Sequence, residues 1–172
     1  RSGSITSATL LTTSIFTTIC PMEPLTVPGT LDSLKDIATY VMTAAEKAGL
    51  EKKKAYKLRL AIDEIATNII VHGYEEAGRT GNIDLTTDLN EQSLTITLED
   101  AAIPYDPCQH DCPDEQELKQ ELHTRPIGGL GVFLAVDGVD EFVYEFINNH
   151  NRNRFTLNRS VESSSTTVPQ PS

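Results

Sequence analysis

Glu64 and Asn68 are the residues of the segment "AIDEIATNII" (61–70) whose types and spacing suggest chemistry. Four residues apart on a helix, a carboxylate and a carboxamide lie on one face and point at the same place. The alternative is a solvated pair beside a core stripe, since scattered polar residues there are ordinary. Two further features accompany them along the chain. Asp100 closes the strand-like run "SLTITLED" and is followed by "AAIPYDP", which cannot continue a strand. Then "PIGGLGVF" places Gly128, Gly129 and Gly131 ahead of an apolar segment. Glycines in such a turn let backbone N–H groups approach an anion, and a helix N-terminus adds its dipole. A fourth cluster, Cys108, His110 and Cys112 with His123 further on, offers a single cysteine pair in a polar loop, weak against the usual four-ligand pattern of a zinc site, and reads as a variable loop.

The elements that must position these residues follow from periodicity. Leu34, Ile37, Val41, Ala44, Ala45 and Ala48 have helical spacing after Thr30, a potential N-cap, and Gly49-Leu50 has the form of a glycine C-cap. A second helix spans about 52–72, with Leu58, Ile62, Ile65 and Ile69 as its stripe, Glu64 and Asn68 on one flank, and Gly73 as its stop. His72 reads as a helix-end residue favoured by the dipole. "EPLTV" is a short strand; Ile83, Leu85, Thr87 and Leu89, then Leu94, Ile96 and Leu98, alternate as a hairpin joined by "NEQ". A third helix follows the glycine turn, and "EFVYEF" pairs with "NRFTLN" around the turn "NNHNR". Tight turns require antiparallel strands, and striped helices need one face to cover. The expected fold is α+β: a two-layer α/β sandwich with a mostly antiparallel, mixed sheet and helices on one face.

The 172 residues suit one domain with tails: residues 1–21 as an extension, 22–158 as the domain, and 159–172 as a tail of disordered composition. A net charge of -11 argues against the basic face of a nucleic-acid binder. No window has the roughly 20 consecutive apolar residues of a membrane span, and the start lacks a secretory pattern. Three cysteines, Cys20, Cys108 and Cys112, fit a reducing compartment, so a cytoplasmic protein is expected.

Taken in order, these motifs resemble the anti-sigma-factor serine/threonine kinase family, the RsbW and SpoIIAB type. That family belongs to the GHKL ATPase superfamily, and the likeness covers about residues 22–158. "LRLAIDEIATNIIVHGY" resembles the N box, "LEDAAIPYDP" the first glycine box and "RPIGGLGVFLAVDGVDEFVYE" the second. The resemblance implies the same two-layer fold, ATP as substrate and magnesium as cofactor. Asn68 would ligate the metal, its amide oxygen being a hard donor, and Glu64 would act as general base toward the attacking hydroxyl. Asp100 would accept a hydrogen bond from the adenine amino group, with Ala102 beside it. Gly128, Gly129, Leu130 and Gly131 would cradle the phosphates, with residues 108–127 as a lid. Arg125 would either touch phosphate oxygens or be a surface arginine.

The implied activity is phosphorylation of a serine on a STAS-like antagonist protein, with a sigma factor as a further partner and homodimerisation expected. One position departs from the family pattern: Ala102 stands where the first box usually carries glycine. If that turn needs a left-handed residue, a methyl there strains it. The alternative is therefore an interaction module with an impaired nucleotide site, which only sequesters its partner.

Overall fold

The computed structural model describes residues 22–106 and 136–159. The third helix, the glycine turn, Arg125, the lid and all three cysteines lie outside the described residues. Five strands form one sheet: β1 (Leu25–Pro28), β2 (Asn82–Leu89), β3 (Ser93–Asp100), β4 (Glu141–Ile147) and β5 (His150–Asn158), in the order β1-β2-β3-β5-β4. Every pairing among them is antiparallel. Helices α1 (Leu34–Lys47) and α2 (Lys52–Asn68) cover one face, so the two-layer α+β expectation holds. No helix among the described residues is long and apolar enough to cross a membrane.

The period-two pattern sorts the strands cleanly. Ile83, Leu85, Leu94, Ile96 and Leu98 are fully buried toward the helices. Their neighbours on the other face form cross-strand polar pairs, such as Arg152 with Glu99 and Arg154 with Glu145. A stripe of Ile37, Val41, Ala44 and Ala45 buries α1 as its spacing predicts.

Gly49, at φ +66°, ends α1. The Leu50 N–H reaches Ala45 O at 3.0 Å and the Gly49 N–H reaches Glu46 O at 2.9 Å, the pair of bonds of a Schellman cap. Thr30 does precede the first turn, but its side chain makes no capping bond and that turn is a 3₁₀ segment, Leu31–Ser33.

Two boundaries differ from expectation. Gly73 does not stop the second helix, which continues past Asn68 as a π-helical segment, Ile69–Glu75. The bonds Glu76 N–H to Val71 O (2.9 Å) and Arg79 N–H to Tyr74 O (2.8 Å) span five residues. Gly78, at φ +62°, lies at its end. The wider turn advances the buried stripe by one residue, so Ile70 and Tyr74 enter the core and Ile69 is released to its edge. The last hairpin is also tighter than "NNHNR" suggests. Asn148 and Asn149, at φ 53° and 62°, form the whole loop, and β5 starts at His150. Asparagine tolerates the left-handed region that a two-residue hairpin turn requires.

Candidate functional site

The site forms where the chain leaves the sheet. Asp100 is the last residue of β3, paired across the ladder with Asn151 of β5 and Ile83 of β2. It is 1% exposed and faces the helix layer. Its Oδ1 accepts hydrogen bonds from the Ala102 N–H (2.9 Å) and from Asn151 Nδ2 (2.8 Å). The same Asn151 amide reaches Ala102 O (3.2 Å) and Ile103 O (3.4 Å), and Asn151 Oδ1 accepts from the Tyr144 hydroxyl (2.8 Å). Tyr74 holds the turn from the other side: its hydroxyl donates to Asn82 O (2.9 Å) and accepts from the Ala101 N–H (3.2 Å).

Asp100 Oδ2 and Asn153 Oδ1, both buried, have no hydrogen-bond partner among the described residues. Both residues border one cavity, together with Asn68, Ile69, Gly73, Ala102 and Tyr105. Burial holds the Asp100 carboxyl above its ordinary pKa, and the bonds from Asn151 and Ala102 only partly offset this. Tyr144 and Tyr74 are likewise shifted up, chiefly by burial. An unsatisfied buried acceptor is costly, about 1–3 kcal/mol, unless something donates to it. The exocyclic amino group of adenine is such a donor. The side-chain oxygen of Asn68, without a hydrogen-bond partner among the described residues, has the chemistry to ligate magnesium. The residues present therefore fit a magnesium–adenine nucleotide. The cavity itself is small, ≈ 20 Å³, room for about one water, so a purine enters only if its walls part.

The structure thus brings Asn68, Asp100 and Ala102 together. Glu64 lies one turn before Asn68 on α2, half-buried, and does not border the cavity. Gly128, Gly129, Leu130, Gly131 and Arg125 lie outside the described residues. At Ala102 the condition for strain is not met: its backbone is not left-handed, because among the described residues only Asn148 and Asn149 combine a side chain with positive φ. The methyl group therefore imposes no strain of that kind. Asn151, Asn153, Gly73 and Tyr74 border or hold this site without having been given a site role from the sequence. The signal for the two asparagines was present: they continue, at the same period, the inward positions of Phe155 and Leu157. Placing the turn across 148–152 hid it.

A stretch of 68 residues, 40% of this chain, is 29% identical to the anti-sigma F factor of Bacillus licheniformis. That match spans 41% of the relative, about two fifths of its length. The model of the histidine kinase-like ATPase domain matches residues 27–157, from β1 through β5 and so across the whole described fold. The chain belongs to the histidine kinase-like ATPase domain family.

Proposed function

We propose that this chain is an ATP-dependent protein serine/threonine kinase of the partner-switching type. The observation that carries the proposal is the buried, unpartnered Oδ2 of Asp100 in a cavity shared with Asn68. In this reading Asp100 would be the acceptor for adenine and Asn68 the hard metal ligand, both lining the same cavity. Magnesium held through Asn68 would neutralise charge on the phosphates. Asp100 would orient the base, with Asn151 fixing the carboxylate. Glu64, one turn from Asn68, would take the proton of the attacking serine hydroxyl as its oxygen bonds to the γ-phosphorus and ADP leaves. Residues 128–131, with Arg125, would hold the phosphates.

The acceptor would be a serine on a small antagonist protein, with a sigma factor as the released or sequestered output. The likeness to an anti-sigma F factor supports this choice. Phosphorylation would add roughly two negative charges at the docked surface and separate the pair by repulsion and desolvation. Homodimerisation and a cytoplasmic setting belong to the same proposal.

A second reading is favoured by the cavity of ≈ 20 Å³: an interaction module that holds its partner without using nucleotide. Titration with a fluorescent adenine nucleotide and magnesium separates the two. Saturable micromolar binding that disappears in Asn68→Ala supports the kinase, and its absence supports the module. Transfer of labelled phosphate to antagonist proteins encoded nearby then tests the reaction. Transfer abolished in Glu64→Gln while nucleotide still binds supports the assigned base; undiminished transfer removes Glu64 from that role.

A further inference from the structure

Ala102 and Gly73 meet at the floor of the cavity. A Cβ built on Gly73 would lie 2.7 Å from the Ala102 Cβ, closer than side-chain carbons approach one another, so only one of the two residues can carry a methyl group. Gly73 has a negative φ, so its backbone does not itself demand glycine. The requirement is one of space. It arises from the π-helical segment, which carries Gly73 against the turn following β3, and both residues border the cavity.

We infer that Gly73 is a positioning residue for the nucleotide pocket: its missing side chain seats the Ala102 methyl, and that fit sets the turn to which Asp100 is tied. The inference rests on the nucleotide reading of this cavity. Its geometry leaves little slack. The Ala102 N–H is bonded to Asp100 Oδ1 at 2.9 Å, so a shift at Ala102 is transmitted to the carboxylate. Tyr74, the residue after Gly73, grips the Ala101 N–H at 3.2 Å, so the turn cannot move away without breaking that bond. Its ring is confined in turn: a Cβ on Gly29 or Gly81 would lie 2.5 or 2.7 Å from Tyr74 atoms. A methyl added at position 73 therefore displaces the acceptor rather than being absorbed elsewhere, as overpacked cores do when neighbours cannot relax.

The test is a cycle of four proteins, each titrated with fluorescent adenine nucleotide and magnesium and each melted alongside. Gly73→Ala should weaken binding about tenfold or more, the equivalent of overpacking by one methyl. Ala102→Gly removes the methyl that Gly73 seats and should weaken binding by less than Gly73→Ala does, since it leaves a gap where the other variant forces a clash. The double variant moves the methyl to the other side of the same contact and should recover most of the lost affinity. Gly78→Ala serves as the comparison for stability: its φ of +62° makes alanine unfavourable, yet it does not border the cavity, so its melting point should fall with affinity unchanged. Wild-type affinity in Gly73→Ala overturns the inference, as does a folded double variant that binds no better than Gly73→Ala. Should Gly73→Ala fail to fold, the double variant alone decides by the same criterion of near-wild-type affinity. If wild type itself shows no saturable binding, the nucleotide reading fails and this inference falls with it.

Discussion

One face of β5 carries two interiors. At its C-terminal half, Phe155 and Leu157 are 0% and 2% exposed within the apolar cluster that includes Leu58 and Ile62. At its N-terminal half, on the same face, Asn151 and Asn153 are 3% and 2% exposed. Burial is equally complete; what the buried atoms meet is not. Phe155 lies against Phe142 with ring centroids 5.0 Å apart, and each such side chain stabilises the fold by about 1.5–3 kcal/mol through burial. Asn151 serves the turn after β3, and Asn153 leaves an acceptor over. The helix layer repeats the contrast: α2 is regular above the apolar end, and becomes π-helical beside the cavity. One end is shaped to fold and the other to hold something. The proposed nucleotide site then lies in a region that relaxes the packing rules the rest of the sheet obeys.

Substitutions at the two ends put that contrast to the test. Phe155→Ala should have the largest effect, a stability loss of about 3–5 kcal/mol in urea unfolding. A loss below about 1 kcal/mol would mean that the apolar end is not the stabilising one. Tyr74→Phe comes next. It leaves the Ala101 N–H and the Asn82 carbonyl without their hydroxyl partner, which should lower stability by about 1–3 kcal/mol and weaken nucleotide binding in the same protein. Asn153→Leu should move the two ends in opposite directions. Removing the unpaired Oδ1 should leave stability unchanged or raised by about 1 kcal/mol, while nucleotide affinity falls. A loss as large as that of Phe155→Ala would show that the amide is structurally required.

The smallest effect expected is in pH dependence. Burial raises the Asp100 pKa above its ordinary 3.8, so the folded state binds this proton more tightly than the unfolded chain. Its contribution is full below the unfolded value and is lost as pH rises through the folded one. Asp100→Asn should therefore remove a decline in stability on the neutral side of pH 3.8, the ordinary value. Paired urea titrations of the two proteins from acid to neutral pH measure it, and parallel curves would contradict the assignment. Asp100→Asn should also abolish nucleotide binding, because the amide cannot offer two acceptors.

Periodicity carried most of the fold. The stripes of α1 and the hairpin β2–β3 follow from apolar spacing, and the Gly49 cap from one residue with a positive φ. What escaped was phase and boundary. A π-helical segment changes the stripe by one residue without any change in residue type, so Ile69 reads as core and Ile70 takes its place. At the site, Asn68 and Asp100 were legible because their types are unusual at those positions. Gly73 and Asn151 were not: the role of each depends on what lies across from it, and that partner is 29 or 51 residues away in sequence.

Arg159 offers a last consequence, for where this polypeptide can be cut. The tail proposed from composition starts at this residue, yet its guanidinium donates to Ala48 O at 2.7 Å and Asn90 O at 2.6 Å, while its own N–H reaches Gln92 O at 2.8 Å. One cation thereby rivets the end of the first helix to the first hairpin, at the edge farthest in sequence from both. Proteolysis or trimming after 158 would break three hydrogen bonds to two loops at once, whereas the same cut one peptide bond later would spare them both.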